Sequence, residues 1–263
     1  MKSNRIMKKH ILSILGSFAL LCIAGCSENE TDNISVFPEN TGGLNMVAGM
    51  STEQVIPVIT RSADFSDVSV DDFYIKILDD KGEVAKEFAS LTDMRDEGLP
   101  VILPTGNYTA FASSFKPDGK EHSNDPYFEV EGGSHPFVIE EKRITQVTLK
   151  CVYKSLGVEL VLSEQFQGLL EEEPENYDYK VNVSNGTASY EFSKDEMKPV
   201  YFLKGCEELV VKVTMTMGGK EYPERVWRIT NQGDTPKTGE YYIIRLDAGD
   251  QPETVSLRSA LME

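Results

Sequence analysis

The chain has 263 residues, with 26 Lys and Arg against 43 Asp and Glu, a formal net charge of −17 with histidine neutral. A charge of that sign repels phosphate backbones and excludes nucleic acid as a natural partner; solubility and solvated faces account for it. The length suits one large or two small domains.

MKSNRIMKKH opens the chain with Lys2, Arg5, Lys8 and Lys9 and no acid, and an apolar run from Ile11 to Ile23 follows. A cationic start, a short greasy stretch and then small residues read as a secretory signal peptide over residues 1–25. The run falls short of the roughly 20 apolar residues a spanning helix needs. Its end, Ile23-Ala24-Gly25-Cys26, resembles the lipobox of bacterial lipoproteins. That resemblance implies a thioether from the Cys26 thiol to diacylglycerol, with cleavage just before it, where small neighbours let a peptidase take the backbone extended. Two or more acyl chains anchor stably, at about 0.8 kcal/mol per buried methylene. Without the signal the formal charge becomes about −21, since only bases are removed.

Residues 26–42 are polar and acidic (SENETDNISVFPENTG from Ser27) and read as a flexible tether. Acid directly after the cysteine resembles the surface-export signals of Bacteroidetes lipoproteins. This implies an outer-membrane protein, lipid-anchored and facing outward.

Beyond the tether, period-two alternation dominates. Phe73, Ile75 and Ile77 share one face of DDFYIKILDD; Tyr108, Ala110 and Ala112 share one in GNYTAFASS; Val147, Leu149, Cys151 and Tyr153 do so in ITQVTLKCVY. Leu156, Val158, Leu160 and Leu162 follow. YKVNVSNGTASYEF is expected to be a hairpin with a type I′ turn at Asn185-Gly186, and LVVKVTMTMGGKEY another at Gly218-Gly219. Tyr242, Ile244 and Leu246 mark a late strand. Helical signals are few: Ser163 caps EQFQGLLEEE before Pro174, and SLTDMRDEG holds a single turn. The expected fold is all-β, two Greek-key or transthyretin-like β-sandwich modules over residues 43–150 and 151–263, closely packed.

Cys22 lies inside the signal, and Cys26 is the acylation site. A Cys151–Cys206 bridge would close a long loop, worth roughly 4 kcal/mol on the chain-entropy model. Against it, Cys151 sits at an inward position where a free thiol packs as a small hydrophobe; free thiols are the favoured reading.

LPTGNYTAFASS, DPYFEVEGGSHPFVIEEKRITQVTLKCVYKSLGVELVLSEQF, DYKVNVSNGTASYEF and PVYFLKG, in that order, resemble a Bacteroidetes lipoprotein family catalogued as domain of unknown function 4493. The resemblance implies a surface or outer-membrane lipoprotein of β-sandwich modules, and it brings no catalytic residues. Fimbrillin-type pilus lipoproteins are similar more loosely.

Enzymatic constellations are missing from the sequence. His122 and His135, in loop-like stretches, are not at helical zinc spacing, and no nucleophile elbow, phosphate loop or dinucleotide fingerprint occurs. His122 with Asp118, Glu121 and Asp125 reads as a solvated loop, and Asp64, Asp67, Asp71 and Asp72 lack the glycine of a calcium loop. No cofactor and no metal is expected. Glycan binding would need exposed aromatic platforms, for which Tyr127, Phe128, Trp227 and Tyr241 are the candidates; core packing is the ordinary alternative. The functional expectation is a non-enzymatic surface binding or adhesion module, with a glycan or surface protein as partner. The alternative is a subunit of a pilus-like assembly joined through sheet edges.

Overall fold

The computed structural model describes residues 37–51, 56–57, 65–116, 118–230, 235–248 and 255–259. The signal peptide, the lipobox residues Ile23, Ala24, Gly25 and Cys26, and Asp64 lie outside the described residues. Among the described residues no helix is long and apolar enough to cross a membrane.

Alternation becomes strands along the chain. β1 (Thr41–Ser51), β2 (Ile56–Pro57), β3 (Tyr74–Asp79), β4 (Val84–Phe88), β5 (Val101–Pro104) and β6 (Gly106–Ser113) come first. Then follow β7 (His122–Ser123), β8 (Phe128–Val130), β9 (His135–Ile139) and β10 (Ile144–Tyr153). Past Lys154-Ser155 lie β11 (Leu156–Leu162), β12 (Asp178–Ser184), β13 (Ser189–Ser193) and β14 (Val200–Phe202). The last are β15 (Leu209–Met217), β16 (Lys220–Ile229), β17 (Glu240–Ala248) and β18 (Val255–Ser259). Phe73, Ile75 and Ile77 are buried while Tyr74 and Lys76 between them are not, as the two-residue period of a half-buried strand requires.

The helices α1 (Leu91–Asp96) and α2 (Glu164–Glu172) start where serines can satisfy their free amides. Ser90 Oγ accepts from the Asp93 N–H at 2.9 Å and Ser163 Oγ from that of Phe166 at 3.2 Å. Gly218 and Gly219, at φ +56° and +75°, form a two-residue turn between the paired Met217 and Lys220. The Asn185-Gly186 turn differs from expectation, because only Gly186 has a positive φ. The loop runs from Asn185 to Ala188, and the buried Asn185 Oδ1 accepts from the N–H groups of Thr187 (3.1 Å) and Ala188 (2.8 Å). A side-chain amide that bonds its own loop removes the need for a second left-handed residue. His122 and His135, read as loop residues, lie in β7 and β9.

The fold is all-β. One sheet has eight strands in the order β4-β3-β6-β8-β10-β1-β5, with β9 also paired to β6. A six-stranded sheet runs β18-β17-β11-β14-β7 with β2 on β17, and a four-stranded one β13-β12-β15-β16. The first curls round one core containing Leu44, Met46, Ile75, Phe128 and Leu149. A second core, with Leu156, Val181, Phe202, Val211 and Ile244, is filled from the other two sheets and from Phe166 of α2. Each half closes alike: β1 lies parallel to β10, and β11 parallel to β17.

Two strands serve both cores. Tyr242, Ile244 and Leu246 of β17 point into the second, and Tyr241 and Ile243 into the first; in β14, Val200 and Phe202 face the second and Tyr201 the first. At this joint the Tyr153 ring lies 4.9 Å from Phe65, 5.6 Å from Phe128 and 6.4 Å from Tyr201, centroid to centroid. Ser155, wholly buried, accepts the Tyr127 N–H on its Oγ at 2.7 Å and the Gly239 N–H on its carbonyl at 2.7 Å.

Gly157 passes so close to this cluster that an added Cβ would lie 2.4 Å from Tyr241 Cδ2 and 2.6 Å from Tyr153 Oη. Gly157→Ala should therefore cost about 1–3 kcal/mol through overpacking. Gly49→Ala, where a Cβ meets nothing within 4 Å, should leave the urea midpoint close to wild type. Equal midpoints for the two variants would contradict this packing.

Candidate functional site

Of the four aromatic candidates, two are corrected by the structure. Phe128 is fully buried in the first core, and Tyr241 is buried at the joint with its hydroxyl donating to Glu159 Oε2 at 3.1 Å. Both sit on strands covered on the relevant face, so neither presents a platform. Trp227 is half-buried on β16. A register shift opposite Val213–Met215 brings Tyr222, Arg225 and Trp227 together around a cavity of only about 10 Å³, too small for a sugar ring. Pro223 and that bulge also blunt β16 as an edge for further strand pairing.

Tyr127 is different. It stands over the outer face of the eight-stranded sheet, in a groove of about 320 Å³ lined also by Tyr74, Lys76, Phe111, Lys116 and Glu129. The sheet register builds this face: Tyr74, Ser113 and Glu129 lie in one row across β3, β6 and β8, with Lys76 and Phe111 in the next. The Tyr127 hydroxyl donates to Glu129 Oε2 at 3.4 Å and its ring lies 5.2 Å from Phe115. The Tyr74 hydroxyl donates to Glu87 Oε1 at 2.7 Å, and the Lys116 ammonium donates to the same oxygen at 2.8 Å while lying 5.3 Å from the Tyr74 ring centre.

Burial pushes the Tyr127 phenol up to about 12, and burial with the Glu87 hydrogen bond raises that of Tyr74. Both remain neutral hydrogen-bond donors across the physiological range. Hydrogen bonds from Lys116 and then Tyr74 lower Glu87, so it stays charged. The groove thus offers aromatic faces, neutral hydroxyls and paired charges, and no activated nucleophile.

One wall of the groove is held from the second core. The segment 118–127 carries β7, which pairs with β14 through Ser123–Tyr201 and His122–Phe202. Asn124 Nδ2 donates to the Tyr190 hydroxyl at 2.8 Å and to the Pro199 carbonyl at 3.1 Å, and Lys204 pairs with Glu121 at 3.1 Å. His122, Asp118, Glu121 and Asp125 form no metal site: among the described residues no group of three or more His, Cys, Asp or Glu is placed to hold one. Tyr74 and Phe111 went unnoticed in the sequence, although each is an aromatic at an outward position between inward neighbours.

Residues 40–258 match the family model described as Domain of unknown function (DUF4493). The chain belongs to this family. No curated protein matches it. Solved structures to which this DUF4493 chain is similar include a candidate cell adhesion protein from Bacteroides fragilis NCTC 9343, at 10% identity and a TM-score of 0.48, covering 83% of this chain and 96% of that one. Another is a candidate cell adhesion protein from Bacteroides uniformis ATCC 8492, at 13% identity and TM-score 0.47, covering 84% and 98%. A third is described as a candidate polysaccharide binding protein from Bacteroides thetaiotaomicron VPI-5482, at 11% identity and TM-score 0.44, covering 82% and 96%.

The two remaining cysteines of this DUF4493 chain, for which a bridge was the less favoured reading, are free thiols. Cys151 is buried in the first core and Cys206 packs against the second, so the pair belongs to separate interiors. Burial pushes Cys151 up to about 12 and Cys206 to about 11, which leaves almost no thiolate near neutrality. Iodoacetamide at pH 8 should modify both slowly in the folded protein and rapidly in urea, read by peptide mass mapping. Rapid native labelling of Cys151 would contradict its burial.

Proposed function

We propose that the protein is a cell-envelope lipoprotein, held in the outer membrane through acyl chains on Cys26, whose folded body is a non-enzymatic binding or adhesion module at the cell surface. The observation that carries the binding reading is the Tyr127 groove, where three rings from separate segments, Tyr74, Phe111 and Tyr127, flank hydroxyls and paired charges on a rigid sheet. Sites of a few hundred Å³ with apolar walls and a few placed polar groups are where small ligands lodge. Rings beside hydroxyls and carboxylates suit a saccharide, whose C–H faces stack while its hydroxyls bond.

The lipoprotein reading rests on the lipobox at Ile23–Cys26 and on the family. The division into modules over residues 43–150 and 151–263, after a signal peptide and tether, belongs to the same proposal. It is supported by the two cores and by the change of core at Lys154-Ser155.

A glycan array tests the ligand class. Phe111→Ala and Tyr127→Ala should each weaken binding several-fold to about tenfold, since a stacked ring is worth about 0.5–1.5 kcal/mol beyond its area, with unchanged thermal melts. Binding that survives both substitutions would remove the groove from the account. Cys26→Ser should abolish palmitate incorporation and release the protein from membranes; labelled palmitate on that variant would refute the anchor.

A further inference from the structure

Among the described residues seven large aliphatic side chains are exposed, and five of them, Val47 (52%), Leu99 (45%), Ile102 (43%), Val138 (51%) and Ile144 (47%), gather at one end of the outer face of the eight-stranded sheet. Register places four of them, and Leu99 directly precedes Pro100, which packs over Gly43. Gly43 of β1 pairs with Ile144 on one side and Ile102 on the other, so these two isoleucines lie in one row. Val138 belongs to β9 beside them, its carbonyl accepting from Thr145 Oγ1 at 2.8 Å, and Val47 lies four residues further along β1 on the same face. Gathered aliphatics of this kind on a strongly acidic protein mark a contact surface.

The chain itself arrives at this patch. Phe37, the first described residue, packs on the outer face at Gly43: its Cε1 and Pro100 Cβ would stand 3.0 and 2.8 Å from a Cβ there. Asn40 is held beside it, its carbonyl accepting from the Thr105 N–H at 2.8 Å. Cys26 precedes Phe37 by about eleven residues, a span of at most about 40 Å even when fully extended.

Two cations stand next to the patch, each paired with a carboxylate: Arg143 with Glu140 at 2.7 Å and Lys142 with Glu141 at 3.7 Å. Asp79 and Asp80 line the shallow groove on the far side of Val138. The binding groove lies at the other end of the same sheet: Asn107 of β6 pairs with Val138 at the patch, whereas Ser113, six residues along β6, belongs to the groove. That spacing is about 20 Å.

We propose that this patch seats the folded body on the lipid surface to which Cys26 is anchored, with Ile102, Ile144 and Leu99 entering the boundary between headgroups and acyl chains. The occupant is a bilayer because the patch lies where the anchored chain joins the sheet, and because the side chains gathered there are themselves aliphatic and uncharged. Seating leaves the Tyr127 groove at the end of the sheet away from the membrane. The inference rests on the lipid-anchor reading.

The test uses the full-length, lipidated protein in phosphatidylcholine vesicles, nitroxide-labelled at Ile102→Cys or Ile144→Cys. Val84→Cys on β4 and Val226→Cys on β16, the two exposed aliphatics outside the patch, serve as controls. Collision with oxygen should exceed collision with a water-soluble nickel complex several-fold at 102 and 144, and the order should reverse at 84 and 226. Water-like accessibility at 102 and 144 in vesicle-bound protein would overturn the seat while leaving the anchor intact. Shielding from both reagents would also overturn it, in favour of a protein partner on the patch. Failure of the lipidated protein to sediment with vesicles would overturn the anchor and the seat together.

Discussion

The passage of β11 under two tyrosine rings at Gly157 governs this molecule. With no side chain there, Tyr241 and Tyr153 approach the backbone itself, beside the strands β14 and β17 that contribute residues to both cores. β14 and β17 are then buried on both faces, alternating residues between the cores. Their tyrosines must find partners or lose solvation, which is why Tyr241 reaches Glu159 and Tyr242 reaches the buried Glu240. Ser155 serves the same constraint, satisfying backbone groups of Tyr127 and Gly239 where water has no access.

From that joint the groove follows. Tyr127 is placed by its backbone bond to Ser155, and the segment ahead of it is tied to the second core through β7 and Asn124. A groove on the first sheet is therefore shaped partly by residues whose support lies in the second half of the chain. This supplies rigidity at a loop-borne site, where loops alone would leave side chains free to move. The proposed binding role needs no perturbed acid or base, and the raised phenols of Tyr74 and Tyr127 act as neutral donors.

The eight-stranded sheet gives its outer face two characters. One end is aliphatic and adjoins Phe37, about eleven residues after the proposed anchor at Cys26; the other is aromatic, hydroxylated and ion-paired. The proposed anchor would benefit from such a gradient, since a patch that prefers lipid would orient the body and turn the polar groove outward. The blunted edge of β16, with Pro223 and a bulge, fits a body whose contacts are made through faces more than through that edge.

Much of this was legible in the linear chain. Alternation identified the inward residues of β3, β6, β10 and β15, because burial of one sheet face imposes a two-residue period that tertiary context rarely reverses. The serine caps of α1 and α2 and the Gly218-Gly219 turn were readable for an equally local reason. The family was legible too, from ordered segments between Leu99 and Met215. What resisted were the residues whose environment depends on distant strands. Phe128 and Tyr241 stand as platform candidates beside core packing until opposing sheets cover them, and Asn185 looks like half of a type I′ turn until its amide bonds its own loop. Sequence alone determined most of the strands and carries the proposal of a lipid on Cys26, because both are read from neighbours in the chain. Tertiary structure decided which aromatics face water and which aliphatics form a patch, because exposure is a property of the strands that pack alongside.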